Sequence, residues 1–160
     1  MTSFSKEIKC KTLLLLTLFV GVFCNAQEVV VGKINPLQGN ATLVQTKNEQ
    51  DQASIFRLQY QNKANGNQGD QKTIEFSATQ AEYDFLFNQM KEVFKLNEEK
   101  ILSLDNRVKV ALRLITDTDL EFVIYKNGVI QGAFSTSATG LHLLFGKAWD
   151  KQAWSIYFKH

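Results

Sequence analysis

The sequence predicts an α+β fold in which a mainly antiparallel sheet of about 6–8 strands packs against one main helix. Short segments of alternating or β-branched apolar residues recur along the chain, and one long segment has helical spacing instead. The helices do not alternate with the strands, which disfavours a doubly wound parallel sheet. We see no internal repeat in the sequence, and Pro36 is the only proline. A single domain is therefore the simplest organisation.

Residues 1–26 have the pattern of a cleavable signal peptide. Three lysines precede an uncharged apolar run at Leu13–Phe23. This run is shorter than the roughly 20 residues that a transmembrane helix needs. Small side chains in Cys24-Asn25-Ala26 then fit a signal peptidase site, with Gln27 as the new N-terminus. We therefore expect a mature chain of residues 27–160, in the periplasm or secreted, with no transmembrane span.

Two other interpretations of the N-terminal stretch are possible. Cys24 is a candidate lipid-bearing cysteine, but the preceding Phe23 is too bulky for the small-residue position of a lipobox, which disfavours a lipid tether. The run at 13–23 is also a candidate core helix. Its apolar residues lie on all sides of such a helix and form no stripe, which disfavours a core helix of the folded domain.

The composition of the predicted mature chain excludes several function classes. Without the leader's three lysines and one glutamate, the 18 basic and 16 acidic residues become 15 of each. A neutral domain lacks the excess of cations that nucleic-acid binding requires. Both cysteines, Cys10 and Cys24, lie in the leader. The mature chain therefore has no thiol for catalysis, for a metal site or for a disulfide.

The first half of the predicted domain is rich in strands. A β-branched run is closed by a glycine and by an Asn-Pro turn, and the next segments alternate between apolar and polar residues. A loop rich in asparagine and glycine interrupts this alternation. The predicted strands are Gln27–Lys33, Ala41–Thr46, Ser54–Gln61 and Lys72–Phe76, and the loop is Lys63–Asp70.

A helix is predicted to begin after Thr79. The sequence Thr79-Gln80-Ala81-Glu82 has the form of a capping box, in which the threonine hydroxyl and the glutamate carboxylate bond reciprocally to backbone amides. Apolar residues then follow at helical spacing as far as about Leu96. This apolar stripe consists of Tyr83, Leu86, Met90, Val93 and Phe94.

The second half is again predicted to be mostly strands. Asn127-Gly128 is the turn that a two-residue hairpin requires, because both central residues need positive φ. A short helix over residues 139–145 ends at Gly146, and Trp154–Phe158 resembles a closing strand. The four other predicted strands are Ile101–Leu104, Val108–Ile115, Leu120–Lys126 and Val129–Ser135.

Few residues in this sequence point to catalysis or to metal binding. His142 and His160 are the only histidines, and His142 lies among leucines as a core residue does. We find neither a P-loop nor an EF-hand pattern, so no cofactor and no metal is expected. Paired carboxylates remain as candidates for acid–base chemistry. The adjacent pairs are Asp117 with Asp119 and Glu98 with Glu99, and both also fit turns and helix ends.

Aromatic residues are the candidates for an interaction site. Trp149, Trp154 and Tyr157 crowd together near the C-terminus, where exposed aromatics would anchor a partner. Tyr60 lies within a segment rich in asparagine and glutamine, where a ring beside amides could stack on sugars. An ordinary polar surface for the Asn- and Gln-rich segment, and core packing for the C-terminal aromatics, are the commoner explanations.

The sequence as a whole favours an exported, non-catalytic domain that binds a protein partner or a small apolar ligand. The ligand alternative requires a cavity of several hundred Å3 between the helix and the sheet. A carboxylate-dependent hydrolase that acts on envelope glycans is a second class of function. A structural or accessory subunit of an envelope assembly is a third.

Overall fold

The computed structural model describes residues 27–35, 39–47, 52–63 and 70–149, and it confirms the α+β fold class. The eight strands are all antiparallel to their neighbours, but they form two four-stranded sheets instead of one. The first sheet has the order β1-β2-β3-β4, and the second has the order β5-β6-β7-β8. The predicted leader at 1–26 and the predicted closing strand at 154–158 lie outside the described residues.

Each half of the chain forms four strands and then one helix. The first half consists of β1 (Gln27–Ile34), β2 (Ala41–Lys47), β3 (Ala53–Gln61), β4 (Gln71–Thr79) and helix α1 (Gln80–Leu96). The second half consists of β5 (Lys100–Ser103), β6 (Val108–Leu114), β7 (Asp119–Lys126), β8 (Val129–Ser137) and helix α2 (Ala138–Leu144). Each predicted strand and helix in the described residues is present, and the boundaries shift by at most a few residues.

The alternation that predicted β3 produces one buried face and one outer face. Phe56, Leu58 and Tyr60 point into the core, whereas Arg57 on the outer face forms ion pairs with Glu28 and Glu75 of two other strands. Strand β4 alternates in the same way. The first sheet therefore buries one side only.

The predicted capping box begins helix α1. The Thr79 hydroxyl accepts a hydrogen bond of 3.3 Å from the Glu82 backbone amide, and a Glu82 carboxylate oxygen accepts one of 2.7 Å from the Thr79 amide. The helix ends at Asn97, which has a left-handed φ of 52°. The predicted stripe is buried, together with Phe87. Hydrogen bonds from the amide and hydroxyl of Thr79 also lower the pKa of the Glu82 carboxyl group.

The predicted hairpin joins β7 to β8. Asn127 and Gly128 have φ values of 53° and 79°, as a two-residue turn of this type requires. These two residues alone separate the end of β7 from the start of β8.

The two halves of the chain are structural repeats, which the sequence analysis did not detect. Thr79 pairs with Ala53 across β3 and β4 and caps α1. Ser137 pairs with Asp119 across β7 and β8 and caps α2 in the same way. A four-stranded meander followed by a capped helix therefore occurs twice.

The repeat extends to the core side chains. Phe56 stacks on Phe76 with ring centroids 5.4 Å apart, and the equivalent rings of Phe122 and Phe134 stack at 4.6 Å. A weak sequence signal accompanies these pairs. Phe-Ser at 76–77 and again at 134–135 is followed by Leu-Phe at the same distance, at 86–87 and 144–145. Few other equivalent positions of these strands hold the same residue, which is why the repeat is hard to see in the sequence.

Both helices link the two halves. Helix α1 contacts β6 of the second sheet as well as β4, and α2 contacts β1 and β2 of the first sheet as well as β8. The Tyr83 ring in α1 also stacks on Phe56 of the first sheet. The inner faces of the sheets and the helices thus form a single core. A turn of each half consequently lies beside strand ends of the other half. An open cleft lies at each of these two places.

Candidate functional site

The predicted interaction residues have different environments. Tyr60 is only 1% exposed, so its ring is not available for stacking at the surface. It packs 5.3 Å from the ring of Phe134, and burial raises the pKa of its phenol to about 12. Trp149 is 38% exposed. Trp154 and Tyr157 lie outside the described residues.

The histidine in helix α2 packs in the core and is not exposed at a site. His142 is buried, and its Nδ1 lies 2.8 Å from the carbonyl oxygen of Ala148. Because a carbonyl oxygen only accepts hydrogen bonds, this contact assigns the proton to Nδ1. The ring also meets the aromatic rings of Phe87 and Trp149 edge-on, at 4.9 and 5.1 Å. His142 thus holds the end of α2 against α1.

The carboxylates predicted as candidate pairs belong to ordinary structural features. Asp119 accepts a hydrogen bond of 2.9 Å from the hydroxyl of Thr116, within the turn between β6 and β7. Glu98 and Glu99 follow the end of helix α1. Within the described ranges, no group of three or more His, Cys, Asp or Glu residues could hold a metal ion.

One serine lies beside a lysine in an arrangement that some hydrolases use. Lys63 Nζ donates a hydrogen bond of 3.0 Å to Ser135 Oγ. A lysine acts as a base in such a pair only when burial or a neighbouring cation removes its proton. Lys63 is exposed, so its ammonium group stays solvated. We interpret this contact as a surface hydrogen bond.

The space between the two sheets is small where the structure describes it. The space between the inner faces of the two sheets amounts to about 20 Å3, and it is lined by apolar residues of both sheets and both helices. This is far below the several hundred Å3 of a small-molecule site. The interior therefore gives no support to the small-ligand alternative.

The first open cleft, called here the Arg107 cleft, has a volume of about 540 Å3. One wall comes from the start of β3 and the end of β4, and the other comes from the turn between β5 and β6. It thus joins the two halves of the chain. Its lining includes Ile55, Glu75, Phe76, Ser77, Asp105 and Arg107.

The two acidic side chains in the Arg107 cleft have hydrogen-bond partners, whereas its arginine has no ion pair among the described residues. A Glu75 carboxylate oxygen accepts a hydrogen bond of 2.9 Å from Arg57. An Asp105 carboxylate oxygen accepts bonds of 2.7 and 2.8 Å from the backbone amides of Arg107 and Val108. The exposed guanidinium of Arg107 takes part in none of the ion pairs between described residues. Within the described part of the chain, the cleft therefore presents a cation that no acidic side chain neutralises.

The second cleft, called here the Lys63 cleft, has a volume of about 410 Å3 and is the structural repeat of the first. It lies at the start of β7 and the end of β8, beside the turn between β1 and β2. Lys63, Asp119, Ser135 and Ser137 line it. The segment at 62–63, which pairs with β8, borders this cleft, whereas no described residue outside the first sheet pairs with β4 at the first cleft.

The chain matches no known family model, no curated protein and no solved structure. Among the helices that the structure describes, none has the length and hydrophobicity to cross a bilayer.

The residues that line the Arg107 cleft carry no motif in the sequence. Ile55, Glu75 and Ser77 are outward positions of strands, and Arg107 lies in a short turn, so no motif sets them apart. The repeated Phe-Ser pair at 76–77 and 134–135 is the sequence signal that could have directed attention to them.

Proposed function

We propose that residues 27–160 form an exported, non-catalytic domain that binds a protein partner at the Arg107 cleft. The basic, apolar and small-residue pattern of residues 1–26 supports export. The absence of cysteine after residue 26 is consistent with a domain whose stability depends on its core alone.

The shape and chemistry of the Arg107 cleft are the observation on which this proposal depends. Ile55 is 50% exposed at its wall, and Arg107, which has no ion pair among the described residues, lines the same cleft. Arginine beside apolar surface is a common composition of the residues that dominate protein–protein binding energy. An open cleft of this size also suits a peptide segment better than it suits an enclosed apolar ligand.

The other two classes of function have less support. A carboxylate-dependent hydrolase needs an acid or a base that is free to move a proton. Glu75 and Asp105, the two acids that line the Arg107 cleft, are held by Arg57 and by backbone amides. An accessory subunit of an envelope assembly would use the same binding surface, so the identity of the partner decides that alternative.

Site-specific cross-linking tests the binding surface. A photoreactive residue replaces Ile55 in the cleft, and a control chain carries it at Val129, which is 63% exposed in the β7–β8 hairpin. We expect one protein to cross-link from position 55 and not from position 129. The purified partner should then bind Arg107→Glu at least about tenfold more weakly than the unmodified chain, as loss of a charged contact predicts.

The exposed Lys109 provides the matched charge control, because it lies outside the cleft lining. Lys109→Glu should bind the partner as the unmodified chain does. Equal cross-linking from positions 55 and 129, or an affinity that Arg107→Glu leaves unchanged, would contradict the proposal.

An intact-mass measurement on the native protein tests export. We expect the mass of residues 27–160, beginning at Gln27. A species that still begins near Met1 would contradict cleavage of the leader, and a species with acyl chains would show a lipid tether through Cys24.

A further inference from the structure

The register of the first sheet determines which backbone groups of β4 face the Arg107 cleft. In an antiparallel pair, hydrogen-bonded and non-hydrogen-bonded residue pairs alternate. The Asn62 amide donates to the Asp70 carbonyl oxygen at 2.9 Å, so this pair is hydrogen-bonded. Glu75 pairs with Arg57, five positions along the same ladder from the Asn62–Asp70 pair. Because five is odd, the Glu75–Arg57 pair is a non-hydrogen-bonded one. The amide and carbonyl groups of Glu75, and those of Ser77, therefore point away from β3.

The equivalent edge of the second sheet is already paired. Ala133 in β8 occupies the position that Glu75 occupies in β4. Its carbonyl oxygen accepts a hydrogen bond of 2.8 Å from the Lys63 amide, and its own amide donates one of 3.0 Å to Asn62 Oδ1. The segment at 62–63 thus continues past β3 and lies against the edge of β8.

Among the described residues, no such segment lies along β4. By the repeat, residues 62–63 correspond to Gly128 and Val129, which belong to the tight hairpin between β7 and β8. A hairpin that returns at once into β8 cannot extend along β4. No backbone group in the described part of the chain bonds to Glu75 or Ser77 from outside the first sheet. This edge opens into the Arg107 cleft instead.

We propose that an extended segment of the partner protein adds to β4 at Glu75–Ser77 as a fifth strand, with an acidic side chain of the segment on Arg107. This inference rests on the function proposed above and specifies the kind of partner. Backbone pairing supplies affinity in strand addition, and side-chain contacts supply selectivity. The segment at 62–63 shows which backbone geometry the equivalent edge accepts. The guanidinium of Arg107, which has no ion pair within the described ranges, selects the charge.

A proline scan of β4 separates strand addition from other ways of filling the cleft. The probe is a displayed library of random peptides of about ten residues, the length of a long strand. Peptides selected on the unmodified chain should contain an acidic residue. Ser77→Pro removes an outward amide inside the cleft, whereas Thr73→Pro removes an outward amide of the same strand outside the cleft lining. We expect Ser77→Pro to weaken peptide binding about tenfold or more, and Thr73→Pro to leave it unchanged.

Modified peptides keep the test independent of any effect of proline on folding. A selected peptide is methylated on one backbone nitrogen at a time and measured against the unmodified chain. Strand addition predicts that methylation at alternate residues abolishes binding and that methylation at the residues between them does not, because only every second amide faces the sheet. Equal tolerance at all positions would overturn strand addition.

The role of the Arg107 charge is tested by exchanging the charges of the cleft and of the peptide. Arg107→Glu should lose affinity for an acidic peptide and gain affinity for the same peptide with lysine in place of the acid. Lys109→Glu should show neither effect. A peptide preference that Arg107→Glu leaves unchanged would overturn the assigned role of Arg107.

The outcomes distinguish this inference from the proposed function. One outcome is that Arg107→Glu lowers the affinity for the cross-linked partner while Ser77→Pro leaves that affinity unchanged. In that case the cleft binds a partner without strand addition, and only this inference fails. If neither a peptide nor a partner binds the unmodified chain, both proposals fail. If Ser77→Pro converts a dimer of this chain into a monomer, a second copy occupies the edge, and the partner segment proposed here is wrong.

Discussion

The hydroxyl of Tyr83 donates a hydrogen bond of 2.9 Å to the carbonyl oxygen of Phe145, a residue 62 positions later in the chain. This bond connects helix α1 to the end of helix α2, and both groups are buried. Tyr83→Phe removes the donor and leaves the carbonyl oxygen without it. We expect the free energy of unfolding to fall by about 2 kcal/mol in urea denaturation. Tyr125→Phe, on the outer face of β7, is the control and should change it by less than about 0.5 kcal/mol.

Tyr60 should respond in the opposite way to the same substitution. Its hydroxyl is buried without a hydrogen-bond partner among the described residues. Tyr60→Phe removes a buried polar group whose desolvation nothing offsets. The free energy of unfolding is expected to stay the same or rise by up to about 1 kcal/mol. A loss comparable to that of Tyr83→Phe would show that the Tyr60 hydroxyl has a partner.

The two buried tyrosines predict a loss of stability at alkaline pH. Burial raises the pKa of Tyr60 to about 12 and raises that of Tyr83 as well. The folded chain therefore holds protons that the unfolded chain releases above about pH 10, so the stabilisation is complete below that pH and is lost as the pH rises further. Urea midpoints measured from pH 9 to about pH 12 should fall, and the fall should be smaller in a Tyr60→Phe, Tyr83→Phe double variant. Equal slopes in the two chains would contradict this assignment.

Two glycines should differ in how they tolerate alanine. A Cβ atom on Gly32 in β1 would overlap the backbone carbonyl oxygen of Leu143 in α2, and the carbonyl of Leu144 is also in contact. Neither backbone can move without separating the strand from the helix, so Gly32→Ala should cost about 3 kcal/mol of unfolding free energy. Gly128 has a φ of 79° and nothing within 4 Å of such a Cβ. Gly128→Ala should cost about 1 kcal/mol, from backbone strain alone.

Local patterns in the sequence predicted most of the individual elements. Alternation predicted β3, the capping box predicted the start of α1 at Thr79, and Asn127-Gly128 predicted the hairpin. Each of these features depends on residues close together in the sequence. A stretch of a few residues is therefore enough to predict each of them.

The division into two sheets and the repeat depend on pairings between distant residues. Nothing in β4 and β5 themselves shows that they belong to different sheets, because α1 separates them and both are ordinary strands. The alternation in β3 predicted that Tyr60 faces inward with Phe56 and Leu58, but its candidacy as a stacking residue at the surface conflicts with its burial, for a related reason. Its neighbours in sequence are amides, whereas its neighbour in space is Phe134 of the other half. The Arg107 cleft combines both effects, since its walls come from separate halves.

Residue-resolved hydrogen exchange of the isolated chain tests the central claim, that the edge of β4 is open where the equivalent edge of β8 is covered. The amide of Ala133 bonds to Asn62, and we expect it to exchange slowly. The amide of Glu75, at the same position of the repeat, should exchange much faster, while that of Phe76 should be protected by β3. Comparable protection of Glu75 and Ala133 would contradict the account, because the proposed binding edge would then already be occupied.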